Sequence, residues 1–243
     1  MNSEIDDQIR EILQELPEQW AVAQDGVDIS IQKEYVAYTK NIDFDRYAEK
    51  DISARIQNLF DATVPMDARR ETLVILANQG TVEAYKTIEK FLVSAEQEMA
   101  SWGVIALQEC RAHLESSLLD QSTGIVMTGL GGADNKMRYF VTVCPKIDTG
   151  FTSIQKAPIE RAFSSVCRRF DSILEEIQMQ RNYATMKILI PSNIAVGDVI
   201  EGGINKCNMA GEFLDINYFV TNVTIPTEAE ILFIIQEMRK KGE

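Results

Sequence analysis

Gly124-Ile-Val-Met-Thr-Gly-Leu-Gly-Gly-Ala-Asp-Asn-Lys-Met-Arg-Tyr-Phe-Val-Thr-Val-Cys144 is where this chain changes character. Its two ends read as β-strands, Gly124–Thr128 and Met137–Cys144, because apolar and β-branched residues run without helical period. The glycine-rich middle reads as their hairpin connection. Before this stretch the apolar spacing is that of helices; after it, strands and helices alternate. Charge divides at the same place. Residues 1–120 carry 11 Lys and Arg against 23 Asp and Glu, a balance of −12, whereas residues 121–243 carry 13 against 14, a balance of −1. The sequence therefore predicts a two-part α+β chain: an acidic helical domain over 1–120 and an α/β domain over 121–243.

The helical part opens with an amphipathic segment, Ile5, Ile9, Ile12, Leu13 and Leu16 on one stripe, closed by Pro17. Residues 18–50 predict short helices and loops. From residue 52 the period is plain: Ile52, Ile56, Leu59 and Phe60 form one stripe, and a helix opens at Asp67 and stops at Gly80. Thr81 opens another through Leu92, and Ser94-Ala-Glu-Gln97 has the form of a capping box before a third, carrying Met99, Trp102, Ile105 and Cys110.

Asp67-Ala-Arg-Arg-Glu-Thr-Leu-Val-Ile-Leu-Ala-Asn-Gln-Gly-Thr-Val-Glu-Ala-Tyr85 resembles one HEAT-type repeat, and its Leu-Val-Ile-Leu-Ala core is echoed by Trp102-Gly-Val-Ile-Ala-Leu107. The resemblance covers residues 52–119 and contains one full unit and part of another, where stacked repeats need about three; a plain helical bundle accounts for the same pattern. What the resemblance implies is a protein-binding scaffold without catalysis.

Beyond residue 121 the order reads β-β-α-β-α-β-α, an α/β sandwich: the two strands above, a long helix from Pro158 to about Arg181, a strand Thr185–Ile190, a short helix around Val199–Ile204, a strand Phe213–Ile225, and a last helix capped by Thr227-Glu-Ala-Glu230.

Three places carry candidate chemistry. Gly129, Gly131 and Gly132 followed by Lys136 could bring backbone N–H groups and a cation to a phosphate. They lack the spacing of a Walker or dinucleotide loop, and a hairpin turn with positive φ explains them equally. Ser192 and Asn193, with Gly197-Asp198 after them, follow a buried strand, where α/β proteins place ligands; a turn and helix cap also suffice. Arg161, Arg168 and Arg169 share one helix and could meet an anion or the acidic half. The single histidine, His113, reads as a cation near a helix end and cannot build a zinc site alone. No catalytic constellation, metal site or cofactor is predicted. Four scattered cysteines, Cys110, Cys144, Cys167 and Cys207, predict reduced thiols in a cytoplasmic protein. No apolar run approaches the ~20 residues that span a bilayer, so no membrane partner is expected. A pI near 4.7 argues against nucleic acid. The expectation is a non-enzymatic protein-interaction module with a protein partner, plausibly basic. The alternative is a small-molecule or nucleotide-binding α/β protein with its ligand near Gly129–Lys136. Oligomeric state is open.

Overall fold

The computed structural model describes residues 19–47, 49–119, 123–147 and 150–240. The helix expected at Ile5–Leu16 lies outside them. The described residues up to Met127 form one compact unit and those from Thr128 onward a second. Among them no helix is long and apolar enough to cross a membrane.

The first unit holds β1 (Gln19–Val22), α1 (Ile29–Thr39), α2 (Glu49–Leu59), α3 (Met66–Gln79), α4 (Val82–Leu92), α5 (Gln97–Leu119) and β2 (Thr123–Val126). Asp28 starts α1 by accepting from the Ser30 N–H at 2.7 Å. Gly80 ends α3 in the left-handed region, φ 56°, and Thr81 caps α4 through the Ala84 N–H. Leu59, Leu73, Leu76, Ile88, Met99 and Trp102 are fully or almost fully buried in one cluster that runs from Val27 to Cys110. Both α3 and α4 pack on α5. A helical repeat would bury each unit against the next in successive layers; here the helices close around one core.

β2 also corrects the sequence reading. It does not form a hairpin with the strand at residue 137. It pairs in parallel with β1, Gln19 opposite Thr123 and Val22 opposite Val126. A parallel partner so distant in sequence leaves no local signal.

The second unit runs β3 (Gly132–Ala133), β4 (Lys136–Pro145), α6 (Lys156–Arg169), β5 (Ile173–Met179), β6 (Ala184–Pro191), α7 (Val196–Gly211), β7 (Leu214–Thr221) and α8 (Glu228–Lys240). The sheet order is β7-β4-β6-β5, with β3 beside the start of β4, and every neighbouring pair is antiparallel. From β4 to β7 this is the β-α-β-β-α-β, ferredoxin-like arrangement. The long helix expected to Arg181 stops at Arg169. Asp171 takes a φ of 50° and turns the chain, and Ile173–Met179 becomes the edge strand β5. Ile173, Leu174 and Ile177 satisfy either period, so the turn, not the apolar pattern, decides.

Alternation along β4 sorts the two faces. Met137, Tyr139, Val141 and Val143 are buried on the side of α6 and α7, whose Ile159, Phe163, Val199 and Ile204 are buried too. Phe140 and Cys144 point the other way and pack with Ile231 and Ile235 of α8 and with Tyr183. α8 therefore covers part of the sheet face that α6 and α7 leave open.

Candidate functional site

The structure brings two of the sequence-derived candidates to one end of the sheet. Lys136 opens β4 opposite Pro191, the last residue of β6, so it lies beside the Ser192-Asn193 turn. Its side chain is 13% exposed and pairs with Asp171 at 3.1 Å. The glycines serve other purposes. Asp134 and Asn135, at φ 48° and 59°, form the two-residue turn between β3 and β4, the geometry of a type I′ hairpin. Gly129 is pressed against the loop after β7: a Cβ there would lie 1.6 Å from the Val223 carbonyl oxygen. The N–H groups of Leu130 and Gly131 already donate to Asn222 and Thr128, at 3.1 and 3.3 Å. Gly132 pairs in register with Met137. Arg161, Arg168 and Arg169 are exposed on α6.

A cleft of this unit lies on the open sheet face, toward the other end of β5 and β6. It measures about 380 Å³, within the range of small-ligand pockets. Phe140, Tyr183, Pro226 and Ile231 supply apolar and aromatic walls from β4, the β5–β6 turn, the loop before α8, and α8 itself. Glu176, Gln178, Gln180, Thr185 and Lys187 supply a polar side from β5 and β6. Register explains the grouping: Glu176 opposes Lys187, Gln178 opposes Thr185, Lys187 opposes Phe140, and Thr185 opposes Thr142. These positions therefore share one face.

Lys187 Nζ lies 2.8 Å from a Glu176 oxygen, both side chains about one-third exposed (34% and 38%). The Gln178 amide donates to the other Glu176 oxygen. Lys187 and Gln178 together hold the Glu176 carboxyl below its ordinary pKa. Burial, with a smaller push from Glu228, raises the Tyr183 phenol. Thr142, next in register, is fully buried and its hydroxyl finds no partner among the described residues. The polar side is thus a fixed carboxylate with an ammonium and two carboxamides. It suits a neutral ligand bearing both donors and acceptors better than a phosphate, because its one cation is already paired.

Sequence reasoning missed this cleft because Glu176 and Gln178 were assigned to a helix. Their alternate spacing was the available signal. No group of three or more His, Cys, Asp or Glu residues among those described is placed to hold a metal ion.

No family model and no curated protein matches the sequence. Several solved structures are similar over part of the chain, two of them as follows. One, from Deinococcus radiodurans R1, is assigned as a transposase; it is 13% identical with a TM-score of 0.36, over 42% of this chain and 91% of that one. The other is a REP-associated tyrosine transposase bound to a REP hairpin, 9% identical with a TM-score of 0.32, over 42% of this chain and 64% of that one.

The structure corrects the sequence reading. The helices of the first unit share one core instead of stacking in successive layers, so the HEAT-type resemblance does not hold. The expected non-enzymatic protein-interaction module, with its basic protein partner, falls with it. Nor does the exclusion of nucleic acid stand: its physical basis is the net charge, which residues 1–120 carry almost alone, so it does not extend to residues 121–243.

Proposed function

We propose that the α/β unit binds an unpaired nucleobase in the cleft between β5, β6 and α8, presented by a nucleoside or by a single strand. The observation that carries this is the meeting of carboxamides, Gln178 and Gln180, with the apolar and aromatic walls of Phe140, Tyr183 and Pro226 in one cleft of about 380 Å³. A base needs both: faces to stack on and an edge to pair with. The open face of a four-stranded antiparallel sheet is also where RRM-type modules stack bases. Because α8 covers the Phe140–Cys144 end of that face, the space fits one base rather than a run. Four buried free thiols suit a reducing compartment, and we place the protein in the cytoplasm.

The test is binding of the full chain to the four nucleosides, a short single-stranded DNA, the matching duplex, and a DNA hairpin with a single-stranded tail. The hairpin is included because one structural neighbour is bound to a hairpin. Single strand and tailed hairpin are expected to bind and the blunt duplex not. Gln178→Leu is expected to weaken binding about tenfold, the cost of a lost hydrogen bond to the base. With Lys187 the sole cation in the cleft, the logarithmic salt slope should stay below about 1 in magnitude. Lys136→Ala should change nothing. Absence of saturable binding by every probe sinks the reading. Loss of binding in Lys136→Ala with Gln178→Leu intact moves the ligand to the Gly129–Lys136 and Ser192-Asn193 end.

A further inference from the structure

The first unit holds a second cleft, of about 440 Å³, built where α1, α5 and the end of β2 converge. Tyr35, Val36, Thr39 and Lys40 line it from α1 and the residue after it. Ile105, Glu109, Ala112 and His113 fall at one helical stripe of α5. Ile125 and Met127 complete the wall. Its surface is mostly apolar, and Val36 stands 47% exposed in a helix whose neighbouring Tyr35 is 2% exposed.

One end is polar and arranged. The Tyr35 hydroxyl donates to Glu109 at 2.5 Å. The other Glu109 oxygen faces His113 Nε2 at 3.9 Å. The α3–α4 turn holds His113 from behind: a Cβ on Gly80 would approach the His113 Cβ to 2.5 Å, so glycine is required at this contact as well as for its φ. Glu109 is therefore engaged by a phenol and an imidazole. Lys40, at the rim, has no ion pair among the described residues. The last-turn carbonyls of α1, which would repel an anion, are occupied: Val36 accepts from the Lys40 N–H, Ala37 from the Asn41 amide and Tyr38 from the Asn41 N–H. When His113 is protonated it offsets Glu109, and Lys40 is then the unpaired cation of this end.

We propose that this cleft binds an amphipathic monocarboxylate, an aliphatic or aromatic acid whose tail lies against Val36, Ile105, Ala112 and Met127 and whose head meets Lys40 and His113. An apolar pocket supplies most of the affinity and the few charged groups select the head. The site is independent of the base-binding cleft, whose residues all follow Thr128.

Calorimetric titration of the full chain with octanoate, 1-octanol and octylamine tests it. Octanoate is expected to bind saturably and about tenfold more tightly than octanol, with octylamine weakest. Lys40→Met, an exposed change that leaves the core untouched, should remove that tenfold preference, which corresponds to ~1.4 kcal/mol. Ala112→Trp should fill the cleft and abolish octanoate binding. Octanol matching octanoate, octylamine exceeding it, or octanoate binding undiminished in Ala112→Trp each overturns the proposal. None of these outcomes bears on nucleobase binding, so the two readings fail separately.

Discussion

At the scale of single residues, environment rather than identity decides what a side chain does. The sequence places His113 near a helix end as a cation, yet it sits well inside α5 and faces Glu109. That carboxylate raises the imidazole pKa against the opposing effect of burial. The sign of the consequence follows from linkage. Protonated imidazole is favoured by folding, so its contribution is complete below the unfolded value of about 6.5 and is lost as pH rises through the higher folded value. His113→Gln should therefore lose less stability than the native chain on going from acid to mildly alkaline pH. Urea unfolding at both ends of that window checks this, and parallel pH slopes for the two proteins would show that Glu109 does not couple to the imidazole. The four thiols show the same rule. Burial pushes Cys110, Cys144, Cys167 and Cys207 up to about 11, so they act as small apolar groups rather than nucleophiles at neutral pH.

At the scale of elements, α8 is the piece on which the nucleobase proposal leans. Thr227 and Glu230 form the reciprocal cap expected from sequence: the Thr227 N–H donates to the Glu230 carboxylate at 2.7 Å, and the Glu230 N–H to the Thr227 hydroxyl at 3.4 Å. Thr227→Ala should cost about 1 kcal/mol. Because the helix start carries Glu228 and Ile231 of the cleft wall, the same change should weaken ligand binding more than a cap substitution at Thr81, which serves the other unit. Equal effects on binding from both substitutions would separate α8 from the site. Elements with their own stop signals were legible. Gly80 announced the end of α3, Thr81 the start of α4 and Thr227 the start of α8. Where the apolar pattern suited two periods, as at Ile173, Leu174 and Ile177, the strand was lost into a helix, and with it the polar side of the cleft. Lys136 and the Ser192-Asn193 turn were visible as polar groups beside turns, but their adjacency is a matter of β4–β6 register, which no local spacing encodes.

At the scale of the whole molecule, chain order shapes how the first unit comes together. Its helices α3, α4 and α5 pack on one another across short turns, so those contacts close small loops. β1 and β2 do not: their pairing joins Gln19 to Thr123 and extends to the Ala23 N–H, which donates to Val126 at 2.9 Å. Closing a loop of about a hundred residues carries an entropic cost that grows with length and is met late. In pulsed hydrogen exchange during refolding, the Ala23 amide should gain protection after the amides of α3 and α5. Protection of Ala23 first would mean the ribbon nucleates the unit instead. During synthesis the order is fixed by the ribosome: Gln19–Val22 emerges first and waits, unpaired, until Thr123–Val126 has left the exit tunnel. The ribbon is then a latch that only a finished helical core can fasten, and a nascent chain stalled within α5 presents an open strand edge to chaperones or to another nascent copy.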